Sequence, residues 1–119
     1  MVIAIDFDGV IASYDGWKGK PTFPKPVAGV KFALDAIKAA GDIIIVNTCR
    51  KEIEAVRNYM DEYLLPYDYI NFNPENEKQG LSDRKIVADV YIDDRAIRFS
   101  GNWLDTLSEI DNFKPWWRK

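Results

Sequence analysis

The apolar residues of this chain fall into short blocks with two different periods. Val2-Ile3-Ala4-Ile5 and Ile43-Ile44-Ile45-Val46 are continuous runs rich in β-branched residues, and each ends at a polar residue, Asp6 or Asn47. Such runs suit strands of a parallel sheet covered on both faces, where neither side of the strand meets water. Between residues 27 and 40 the apolar positions Val30, Ala33, Leu34, Ile37 and Ala40 return every three or four residues, which puts them on one helical stripe. Pro26 is read as opening that helix and Gly41 as standing at its C-terminal cap. A second helix is predicted over residues 52–64 through Ile53, Val56, Met60 and Leu64, stopped by Pro66.

Further along, residues 67–71 predict a third strand, Val90-Tyr91-Ile92 a fourth and residues 97–99 a weak fifth. Trp103, Leu104, Leu107 and Ile110 predict a closing helix. Residues 12–25 and 73–84 carry Gly, Pro and polar residues without period, so the first is expected to be a flap and the second a loop holding at most one helical turn. Strands alternating with helices imply an α/β fold: a three-layer, Rossmann-like parallel sheet with helices on both faces and no cap domain. At 119 residues, 47% of them hydrophobic, the chain can bury one core, so residues 1–119 are read as a single domain.

Composition narrows the chemistry. With no His, neither a Ser-His-Asp triad nor a zinc site of His and Cys ligands can be built, and catalysis must run on carboxylates, Lys or hydroxyls. A net charge of −3 offers no global field for a nucleic-acid backbone, although a local basic site stays open. No apolar run approaches the roughly 18 residues of a membrane span, and no secretory leader is evident. A cytoplasmic setting is therefore expected, in keeping with the single Cys49, which has no intrachain partner.

In parallel α/β sheets ligands bind beyond the carboxyl ends of the strands. Asp6, Asp8, Thr48, Asp93 and Asp94 all fall at such ends. Four carboxylates meeting in one crevice repel one another unless a cation lies among them. Mg2+ suits such a cluster because it takes one or two carboxylates directly and fills its other positions with water and substrate phosphate. Thr48 and Lys85 could then supply the fixed donors that a phosphoryl group needs in transfer. Thr48 could equally serve as the N-cap of the helix that follows.

Asp6-Phe7-Asp8-Gly9-Val10, then Thr48 after a strand, then Lys85, then Ile92-Asp93-Asp94 resembles the four ordered motifs of the haloacid dehalogenase superfamily, over nearly the whole chain. The resemblance implies that Asp6 is a nucleophile forming an aspartyl phosphate and that Asp8 is the acid and base. It implies Mg2+ held by Asp6, Asp8 through its backbone carbonyl, and Asp93, with Asp94 reaching it through water. It also favours phosphate chemistry over dehalogenation, since the dehalogenases lack a carboxylate at the position of Asp8. Lys85 stands closer to the Asp93 strand than the motif lysine of many members, and Lys78 is the fallback. The small gaps imply a capless member with an open crevice, with Tyr14 and Trp17 as candidate substrate-facing residues.

The expected activity is Mg2+-dependent hydrolysis of a small phosphorylated metabolite, with oligomerisation one way to complete an open site. Ser82-Asp83-Arg84-Lys85 looks like a segment of 5'(3')-deoxyribonucleotidases, and Asp94-Arg95 resembles polynucleotide 3'-phosphatases, so a nucleotidase or polynucleotide phosphatase is the alternative. Receiver modules of two-component signalling share the size and the Asp, Thr and Lys set, but their Asp pair follows the first strand, whereas Asp93-Asp94 come last here. A non-catalytic phosphate-binding protein would not need Asp8. Cys49 lacks the Arg six residues on that a cysteine phosphatase requires, and residues 16–21 do not match a P-loop.

Overall fold

The computed structural model describes all 119 residues. At its centre is a wholly parallel four-stranded sheet in the order β3-β2-β1-β4, built from β1 (Val2–Asp6), β2 (Ile43–Asn47), β3 (Tyr69–Ile70) and β4 (Val90–Ile92). The strands alternate with the helices α1 (Val30–Ala39), α2 (Ile53–Glu62), α3 (Pro74–Lys78) and α4 (Trp103–Asp111). The steps from β1 to β2 and from β2 to β3 run in one direction across the sheet, so right-handed crossovers put α1 and α2 on the same face. The chain then returns past β1 to reach β4, which carries α3 across the opposite face. A three-layer, Rossmann-like arrangement results.

The register explains the unbroken apolar runs. Ile3 and Ile5 lie beside Ile44 and Val46, and these four share one buried cluster with Leu34 of α1 and Val56, Tyr59 and Met60 of α2. Ala4 and Ile45, one residue out of step, turn to the other face and are equally buried. A strand with water on neither side cannot alternate. Leu34 is the buried anchor of α1, and its truncation to Ala would cost about 3 kcal/mol through lost transfer energy and the cavity left behind.

Three local expectations need correction. Pro26 does not open α1; it bridges antiparallel to Ala12, with Ser13 N donating to Lys25 O and Val27 N to Ile11 O, so the backbone there is committed to pairing and the helix waits for Val30. Leu64 is not on the buried stripe of α2, because the chain turns there through φ 55° and Leu65 is buried instead. Residues 97–99 form no strand, which leaves β4 as an edge paired only with β1.

Candidate active site

β1 and β4 are neighbours whose connections leave in opposite directions, so the crevice beyond their carboxyl ends is the switch point of the sheet. Ile5 pairs with Ile92, and the next residue of each strand is an aspartate, Asp6 or Asp93. Asp94 completes the group: carboxylate oxygens of Asp6, Asp93 and Asp94 all lie within 4.8 Å of one another. Asp6 Oδ1 accepts a hydrogen bond from Phe7 N at 2.8 Å. Burial, then a hydrogen bond with Asp94 and the charges of Asp93 and Asp94, push the Asp6 carboxyl up to about 8.

This donor set fits Mg2+. Octahedral bonds of about 2.1 Å place neighbouring ligand oxygens about 3 Å apart and opposed ones about 4 Å apart. The three carboxylates need only a small inward adjustment, and a dication among them would relieve the repulsion that raises Asp6. The side chain of Asp8 does not join this group. Both of its oxygens are occupied by Arg50, with Nε to Oδ2 at 2.9 Å and Nη2 to Oδ1 at 2.7 Å. Only the backbone carbonyl of Asp8 is left for the role in metal binding that the resemblance implies.

Arg50 is held as firmly as it holds. Its Nη2 also donates to Thr22 O at 2.5 Å, and its guanidinium lies 4.2 Å from the ring centre of Phe23 and 5.5 Å from that of Phe7. Phe7 is fully buried and packs edge-on against Tyr59, whose hydroxyl donates to Pro24 O at 2.6 Å. The 12–25 flap is thus tied to the core at Thr22, Phe23 and Pro24. Thr48 lies in the same cleft, its backbone clamped by Asn71, which accepts from Thr48 N and donates to Thr48 O, both at 2.8 Å. The N-cap of α2 is Glu52, so Thr48 does not cap that helix. Its Oγ1 accepts from Arg50 N at 3.1 Å, leaving the hydroxyl proton for an incoming oxygen.

The expected lysines are elsewhere. Lys85 lines a separate groove with Ser82, Arg84 and Tyr91, its ammonium 5.3 Å from the Tyr91 ring centre. Buried Asn76 is the cause, donating to Ser82 O and Lys85 O and accepting from Val87 N, which pins the loop around itself. Lys78 pairs with Glu75 on the exposed side of α3. The cations that line the cleft are Arg50, Lys51 and Arg95.

The tail supplies the other surprise. Trp117 Nε1 donates to Asp94 Oδ2 at 2.5 Å, and Trp116 Nε1 donates to Gly9 O at 2.7 Å. The Trp117 ring stands edge-on to Tyr14, with centroids 4.9 Å apart, and the guanidinium of Arg95 lies 5.5 Å from its centre. Gly9 makes this approach possible: its φ is 82°, and a Cβ there would sit 2.3 Å from Asp94 Oδ2 and 2.9 Å from Trp117 Nε1. Tyr14 and Trp17 both line the cleft, which encloses about 740 Å³, and Trp17 stands out into it rather than folding down on the protein surface.

No family model and no curated protein matches this chain. Among solved structures, a conserved protein from Bacteroides thetaiotaomicron is similar, at 25% identity and a TM-score of 0.69, covering 96% of this chain and 92% of that one. The likeness establishes the fold over nearly the full length of both. No helix is long and apolar enough to cross a membrane.

Arg50 carried a sequence signal that went unread, since it lies two residues past Thr48 at the same strand end. Asn71 was read as the end of the third strand and Gly9 as part of the first motif, and neither reading disclosed its contacts in the site. Nothing in the local pattern linked Trp117 to Asp94, 23 residues away.

Proposed function

We propose that this chain is a Mg2+-dependent phosphomonoester hydrolase working through an aspartyl-phosphate intermediate. The observation that carries the reading is the meeting of Asp6, Asp93 and Asp94 at the switch point, with Asp8 two residues beyond the nucleophile. Asp6 attacks phosphorus as its carboxylate, the P–O bond to the leaving group breaks, and the aspartyl phosphate is then opened by water, which releases inorganic phosphate. Bound Mg2+ would supply the charge that keeps Asp6 ionised and neutralises the phosphoryl oxygens. Thr48 offers its hydroxyl proton to one equatorial oxygen, and Lys51 and Arg95 add positive charge at the mouth.

Asp8 carries the proton in both steps, to the leaving oxygen and then from the attacking water. To donate, it must give up at least one of its two bonds to Arg50. An incoming phosphate offers the guanidinium another anion, so substrate arrival and release of Asp8 are coupled in this reading. The substrate class is a small phosphorylated metabolite. A nucleoside monophosphate is favoured as a second reading by one observation, two aromatic rings, Tyr14 and Trp17, lining a cleft that also carries three cations.

The test is phosphate release with Mg2+ from a panel of sugar phosphates, nucleoside 5'- and 3'-monophosphates and 3'-phosphorylated oligonucleotides. Turnover of at least one ester is expected, abolished by EDTA and by Asp6→Asn. Turnover by the Asp6→Asn protein at the wild-type rate would overturn the reading, as would an inert panel at saturating Mg2+.

A further inference from the structure

The chain leaves an unusual amount of surface uncovered, and its exposed apolar side chains are concentrated. Its accessible surface is 8170 Å², whereas a compact monomer of 13.7 kDa exposes about 6,600 Å². Its radius of gyration is 15.3 Å, against about 13.5 Å for a compact domain of this length. Of the 19 exposed large apolar side chains, ten lie between Val90 and Trp116. All three residues of β4 are among them, although β4 belongs to the central sheet. In α4 the stripe of Trp103, Leu107 and Ile110 that should face a core is exposed, with Leu104 and Phe99 beside it, each between 52% and 77% accessible. Thr106 is the only buried residue of that helix.

We propose that this face is covered by a second copy of the chain, in a two-fold dimer that joins the β4 edges and the apolar stripes of α4. The whole-chain excess of about 1,600 Å² leaves room for the roughly 800 Å² per partner that a stable interface buries, and eight large exposed side chains of β4, Phe99 and α4 supply its apolar part. β4 pairs on one side only, and two such edges related by a two-fold axis meet antiparallel, which satisfies the free backbone groups of both. Asp105 and Glu109 fall on the side of α4 away from the apolar stripe, which leaves the stripe itself free of those charges. An anionic lipid surface is disfavoured as the occupant, because the acidic polar side of α4 would be repelled by it. The inference does not depend on the chemistry of the crevice.

Sedimentation velocity on the full chain, from about 1 µM to about 200 µM, tests it. The expected result is a species of twice the 13.7 kDa chain mass, converted to the single-chain mass by Leu107→Glu. That substitution is at an exposed position of the isolated chain, so its circular dichroism should match wild type. Phe32→Glu, at an exposed position of α1 outside the face, should leave the dimer intact. Hydrogen exchange at β4 and α4 should slow as wild-type concentration rises, which reads the same interface without a variant. A wild-type protein that stays at single-chain mass throughout overturns the proposal, whether or not it co-sediments with phosphatidylserine vesicles. A dimer that survives Leu107→Glu but is lost in Phe32→Glu overturns it too.

Discussion

Replacing Asp6 by Asn should stabilise the metal-free protein, a result that runs against the usual expectation for a residue at the centre of a site. Asp6 is pushed from 3.8 to about 8, by burial first and by Asp94 and Asp93 next. A carboxyl with a raised value holds its proton more tightly in the folded chain, so its contribution to stability is complete below the unfolded value and is lost as pH rises through the folded one. At pH 7 the difference is a little over 3 pH units, an upper bound of about 4 kcal/mol. Because Asp6 keeps some solvent contact, screening reduces this to about 1–2 kcal/mol, or on the order of 5 °C in Tm for a chain of this size.

Asn mimics the protonated form. Its Oδ1 can still accept from Phe7 N, and its Nδ2 can donate to Asp94 as the shared proton does. The assay is thermal unfolding in EDTA at a series of pH values from about 4 to about 8. Asp6→Asn should match wild type near pH 4 and melt progressively higher above it, and saturating Mg2+ should narrow or reverse the gap by stabilising wild type. An Asn variant that melts below wild type at pH 8, or a gap that ignores pH, would refute the reasoning.

Trp117→Phe keeps the ring against Tyr14 but removes the donor to Asp94, so Mg2+ affinity measured by calorimetry should fall about tenfold, while an unchanged affinity would deny the indole any part in orienting Asp94. Gly9→Ala should lower stability by about 1–3 kcal/mol in chemical unfolding, because its φ of 82° and the 2.3 Å approach to Asp94 leave no room for a methyl group. Arg50→Met preserves an apolar stem beside Phe7 and Phe23 but frees Asp8; kcat should drop at least about tenfold and its pH profile should move, as expected when a proton-transfer group loses its partner. Lys85→Met should change kcat/KM by less than about twofold, since this ammonium faces Tyr91 and a different groove.

Two kinds of information were local and could be read along the chain. Continuous apolar runs identified β1 and β2 because a strand buried on both faces has no polar position, and the stripes of α1 and α2 showed because one side of each helix meets the core. Asp6 and Asp93 were legible as strand-end residues, and the parallel topology implied by alternating elements was enough to bring those ends together. The partners of each side chain were decided by folding. Asp8 belongs to Arg50 and Asp94 to Trp117 because loops and tail converge from 42 and 23 residues away. Lys85 left the site because Asn76 gathers its loop into a local knot of hydrogen bonds. Backbone pairing follows periods that a sequence displays, whereas the direction of a side chain at a loop depends on contacts closed only when distant segments meet.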